Sequence, residues 1–130
     1  MSEQFKLSIC TPDGSFFEGN AVEVNLPGSE GRFGVLAEHM NMIANLDPGI
    51  VEIKHHDKLS KLVIFDGIAE VHEAGCTVLV EKAQDEAMTK EELAEAIGLA
   101  EHNFHKETNH ALKESHEKEI KYLKAIAEAF

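Results

Sequence analysis

"SEGRFGVLAEHMNMIANLDPGIVEI", residues 29–53, is the stretch on which the reading of this chain turns. Two glycine-bounded turns and a "DPG" break separate short apolar runs. The single arginine, Arg32, lies in the first turn, with His39 seven residues on. Such a segment is a catalytic loop, a binding edge or the corner of a sheet, and the residues on either side must choose.

On both sides the period is two. "FKLSI" places Phe5, Leu7 and Ile9 on one face, and "AVEVNL" does the same with Val22, Val24 and Leu26. "IVEIK", "KLVIFD", "GIAEVH" and "CTVLVEK" follow as short runs parted by turn signals at "PDG", "PGSEG", "DPG", "HHDK", "DG" and "EAG". Many short strands at close spacing, from Phe5 to about Lys82, predict an all-β sandwich or barrel. "LVIF" is apolar at every position, which predicts a strand covered on both faces.

From Met88 the period becomes helical. "TKEE" is a capping box in which Thr89 and Glu92 satisfy each other's backbone N–H groups, so a helix starts there. Leu93, Ile97, Ala100 and Phe104 form its apolar stripe. Thr108 or Asn109 caps a second helix, whose stripe is Leu112, His116, Ile120, Leu123, Ala127 and Phe130. A short polar link makes the pair an antiparallel two-helix hairpin. The predicted organisation is a β-sandwich over residues 1–83 and a helical hairpin over 84–130. Narrow stripes, and Gly98 inside the first helix, make the hairpin an appendage that is stable when docked and able to move when released.

Composition excludes several functions. The formal charge of −12 opposes both a phosphate backbone and an anionic lipid surface. No run approaches 18 apolar residues and the start lacks a signal-peptide pattern, so the expectation is a cytosolic or matrix-type protein that meets membranes only through other proteins. Cys10 and Cys76 lie in strand-like runs as free thiols that pack as small hydrophobes.

Catalytic chemistry finds little footing. The eight histidines lack metal-ligand spacing: His55 and His56 are adjacent in a turn, and His102 and His105 lie on the polar side of a helix without H-E-x-x-H. His116 falls in an apolar stripe and reads as a packing residue with one nitrogen bonded or wet. Ser29 and His39 have no nucleophile-elbow context. "GSEGRFG" lacks the G-K-[ST] of a phosphate loop. Glu23, Glu52 and Asp66 read as solvated strand faces. Lys113, Lys118, Lys121 and Lys124 form a broad arc on the second helix, either a face for an acidic partner or a solvated one paired to Glu114 and Glu117.

The motif "GSEGRFGVLAEH" followed by "LDPGIVEI" resembles the epsilon subunit of the rotary F-type ATP synthase, called delta in mitochondria. Gly31, Phe33, Gly34, Val35, Leu36 and His39 match a G-x-[FLM]-G-[VI]-L-x-x-H run, and Leu46, Pro48, Gly49 and Ile50 match L-x-P-G-x-[VL]. The resemblance continues through "DGIAEVHEAGCTVLVEKA" and more loosely into the helices. It implies a non-catalytic rotor part of the central stalk, with no metal and no cofactor. The sandwich would bind the gamma subunit and stand on the membrane ring, with Gly31, Arg32, Phe33, Gly34 and His39 facing the ring, so that proton-driven torque reaches the catalytic head. Location would be peripheral, on the cytoplasmic face of the inner membrane through the synthase. The family's hairpin can also extend along gamma and block ATP hydrolysis through basic side chains, for which Lys113, Lys118, Lys121 and Lys124, with His116 among them, are the candidates here.

Two departures stand out. Arg32 occupies a position where many members are acidic, which reverses the local charge offered to the ring. "TKEELAEA" lacks the D-x-x-R-A motif of nucleotide-binding members, so ATP binding by the hairpin is not expected. The competing readings are a sandwich-plus-hairpin adaptor in another assembly and a small metal enzyme built on the histidines.

Overall fold

The computed structural model describes residues 3–38 and 41–130. Among these described residues, ten strands are followed by two helices. One sheet contains β1 (Phe5–Thr11), β2 (Gly14–Ala21), β5 (Met42–Leu46), β8 (Gly67–His72) and β9 (Gly75–Val80), in the order β2-β1-β9-β8-β5. The other contains β3 (Glu23–Leu26), β4 (Phe33–Leu36), β6 (Gly49–Lys54), β7 (Leu59–Ile64) and β10 (Ala83–Gln84), in the order β10-β7-β6-β3-β4. All pairings are antiparallel except β1 with β9. The architecture is the expected sandwich.

The alternating residues supply its filling. Leu7, Ile9, Val24, Leu26, Ile53, Ile64 and Val78 are fully buried between the sheets. Four strands escaped the period-two reading. β2 holds two glycines and adjacent phenylalanines, β4 and β5 are short and weakly alternating, and β10 is two residues long.

The "LVIF" strand behaves as its pattern requires. Leu62 and Ile64 of β7 enter the sandwich core, whereas Val63 and the following Phe65 join a second core with the helices. That second core also contains Ala100 of α1 (Lys90–Lys106) and Tyr122, Leu123, Ala125 and Ile126 of α2 (His110–Ala129). The hairpin therefore covers the outer face of the β7 sheet. The Thr89 capping box is formed in both directions, and Asn109 Oδ1 caps α2 by accepting from the N–H groups of Ala111 and Leu112.

The expected stripe of α2 is corrected. Leu112, Ala127 and Phe130 are exposed, and the buried face is turned about a quarter turn toward Tyr122, Ala125 and Ile126. A helix in contact with both α1 and a sheet needs a wider apolar arc than one spaced for a single partner.

Both cysteines are free. In the parallel β1/β9 pair Cys76 stands opposite Leu7 and Cys10 opposite Leu79. Three residue steps of about 3.3 Å separate the two thiols along the strands, beyond the reach of a disulfide. Burial pushes the Cys76 thiol up to about 11, which keeps it protonated and unreactive at neutral pH.

Candidate partner-binding surfaces

The turn between β3 and β4 brings Gly31, Arg32, Phe33 and Gly34 together at one end of the sandwich. Gly31 has φ +130°, a conformation open only to glycine, and a Cβ on Gly28 would lie 2.6 Å from the Gly31 carbonyl oxygen and 2.9 Å from the Phe33 ring. The turn is closed tightly over its own aromatic residue. Arg32 folds back from it: Nη1 donates to the Ile50 carbonyl at 2.8 Å, and Nη2 lies 3.8 Å from Glu52 Oε1. Its charge is thus partly directed toward β6. His39 lies outside the described residues.

The basic residues of α2 divide into three environments. Lys113 Nζ sits 4.8 Å above the Phe104 ring at the hairpin tip. Lys118 Nζ donates to Asp66 Oδ2 at 2.9 Å, a tie to the turn after β7 that holds its ammonium above the ordinary lysine value. Lys121 and Lys124 are exposed and share a groove of about 410 Å³ with Arg32. His116 is half-buried on the same helix. A second tie runs the other way, because Lys82 Nζ donates to Glu119 Oε2 at 2.8 Å. The same ammonium lies 4.8 Å from the centroid of Phe65 and 4.9 Å from that of Tyr122. Two half-exposed ion pairs add about 1 kcal/mol or less each, so docking rests chiefly on the apolar contact.

Tyr122, the only tyrosine, reports on that contact. Burial first, then the nearby Glu119 carboxylate, push its hydroxyl up to about 12. Below pH 10 the docked and released states are equally protonated. As pH rises toward about 12 the released hairpin ionises first, so docking weakens. Lys118 acts in the same sense, its contribution fading as pH rises through its raised value. Phenolate absorbance should therefore titrate near pH 12 in the intact chain; a midpoint near 10 would show that Tyr122 faces water.

A third surface has no counterpart among the expected site residues. The outer face of the β1/β9/β8/β5 sheet exposes Ile43 by 73%, Leu79 by 53% and Ile68 by 45%. Ile68 and Leu79 are direct cross-strand partners, and Asn45, two residues from Ile43, is the partner of Ile68. The three form an uncovered apolar patch on a chain of charge −12. The available signal was that Ile68 and Leu79 stand at the positions where "GIAEVH" and "CTVLV" should turn a polar residue outward.

Among the described residues no group of three or more His, Cys, Asp or Glu could hold a metal ion, and no helix is long and apolar enough to cross a membrane.

Residues 4–86 match the model of the "ATP synthase, Delta/Epsilon chain, beta-sandwich domain" family. The chain belongs to the ATP synthase delta/epsilon family. The epsilon chain of Sulfurimonas denitrificans is 46% identical over 81 residues, covering 62% of each chain. That of Nitratiruptor sp. is 41% identical over 97 residues, covering 73% of this chain and 75% of its own. This delta/epsilon chain thus spans rather less than two thirds of the Sulfurimonas relative and three quarters of the Nitratiruptor one. A chain in the Euglena gracilis mitochondrial ATP synthase OSCP/F1/c-ring structure superimposes with a TM-score of 0.80 at 24% identity, over 97% of this chain and 81% of that one. One in the central stalk and c-ring of the Tetrahymena thermophila mitochondrial enzyme gives 0.68 at 14% identity, over 98% and 97%. These two likenesses establish a shared fold that runs through the helices.

Proposed function

We propose that the chain is the epsilon subunit of the central stalk of an F-type ATP synthase, a non-catalytic part that couples ring rotation to the catalytic head. Within it, the sandwich of residues 1–83 binds gamma and the membrane ring, and the hairpin of residues 84–130 is a mobile regulatory element. The observation that carries this reading is the patch of Ile43, Ile68 and Leu79. A family sandwich whose second face is covered by its own helices offers that bare apolar face to a partner. We assign the patch to gamma and the tight turn at Gly31–Gly34 to the ring, with the membrane reached only through those partners. No cofactor is called for.

Purified gamma from the same cell should bind the full chain with the stoichiometry of a single site. A chain that is folded and does not bind gamma overturns the assignment. For the hairpin, Lys118 is tied to Asp66 of the sandwich and Lys113 lies on Phe104 of the paired helix, so undocking and extension of the helices would free both for an acidic surface on the catalytic head. Deleting residues 84–130 should then raise ATP hydrolysis by the assembled complex severalfold. An unchanged rate would remove the inhibitory role and leave the coupling role standing.

A further inference from the structure

Strand β5 is an edge with half of its backbone already used. On the side away from β8, the Ser29 N–H donates to the Asn45 carbonyl at 2.9 Å and the Asp47 N–H donates to the Pro27 carbonyl at 2.9 Å, with Gly28 opposite Leu46. Residues 27–29 thus behave as a short added strand. Backbone groups alternate in direction along a strand, so Ile43 presents its N–H and carbonyl on the same side as Asn45. There, among the described residues, Ile43 has no backbone partner.

This edge lacks the usual protection. Met42–Leu46 carries no charge, proline or glycine, whereas β2, at the other edge of the same sheet, carries Glu18, and β10 is only two residues long. Beside the free backbone of Ile43 lies a cavity of about 410 Å³ with a mixed lining, Ser29, Glu30 and Asn45 together with Phe33, Met42 and Ile43, whose apolar side can take an apolar side chain from an added strand.

We propose that β5 is extended by an extended segment of gamma, which hydrogen-bonds to the backbone of Ile43 and places an apolar side chain in the cavity beside Phe33. The inference rests on gamma being the partner of the sandwich. Gamma is favoured because Ile43 belongs both to this edge and to the patch on the sheet face, so one partner covers both. A second copy is disfavoured because each would carry a charge of −12.

The Ile43 N–H is not used in the β8 ladder, so proline at this position removes the donor and leaves the sheet paired. Gamma affinity should fall at least about tenfold more for Ile43→Pro than for Ile43→Ala, the extra loss being that of the backbone bond. In the unaltered chain, amide exchange at Ile43 should be fast alone and slow with gamma. Equal losses for the two variants, with fast exchange retained in a complex that still forms, would overturn strand addition while leaving gamma as partner. Protection of Ile43 that grows with the concentration of the chain alone would assign the edge to a second copy and overturn the proposal. Absence of gamma binding by the unaltered chain would instead defeat the reading beneath it.

Discussion

Replacing Ile126 with aspartate should detach the helical hairpin and leave the sandwich folded. Ile126 is 1% exposed and packs with Val63, Phe65 and Tyr122 in the core between α2 and the β7 sheet. The two lysines tied across this contact, Lys82 and Lys118, are already paired to Glu119 and Asp66. An unpaired charge in such a site costs several kcal/mol. The hairpin has a cheaper alternative, which is to leave. Its docking energy comes from a small apolar contact and two half-exposed ion pairs, whereas the sandwich has its own filling of Leu7, Ile9, Val24, Leu26 and Ile53. Amide protection should disappear over residues 90–129 and persist in the strands, and the Tyr122 midpoint should fall from about 12 toward 10. Ile126→Val, at about 0.5–1.5 kcal/mol, should leave the hairpin docked. Simultaneous loss of protection in strands and helices would mean that the hairpin is integral to the sandwich.

The second large effect is expected on the other face. Ile68→Lys combined with Leu79→Glu replaces the centre of the apolar patch with an opposite-charge cross-strand pair, a change that an exposed sheet face accommodates. Thermal stability should hardly move. Gamma affinity should fall by at least about a hundredfold, because central apolar anchors dominate such interfaces and the new charges would have to be desolvated. Asn20→Glu, on the same outer face but at the β2 edge, is the matched control and should have little effect. An unaffected affinity in the double variant would move the gamma site elsewhere on the sandwich.

The sequence was most informative where one local rule governs a segment. The unbroken "LVIF" run announced a strand between two cores, and "TKEE" marked the start of α1 to the residue. It was less informative where burial depends on distant partners. The apolar arc of α2 was misplaced because nothing within the helix says that a sheet, as well as α1, lies against it. The ties of Lys118 to Asp66 and Lys82 to Glu119 span 52 and 37 residues, beyond any spacing rule. The patch was hidden for a related reason: an exposed isoleucine or leucine in a strand reads as core until its neighbours are known. Arg32 illustrates the same point, since its contacts with Ile50 and Glu52 depend on the β3–β6 pairing and not on the turn that holds it.

The most direct test of the rotor assignment is affinity capture of the tagged full-length chain from gently solubilised membranes of its own cell, with every co-purifying chain identified. Gamma should be recovered together with the catalytic head and the membrane ring, and gamma and the head should be lost in the Ile68→Lys/Leu79→Glu variant. Recovery of other chains, or of none, from preparations in which the synthase stays intact would contradict it.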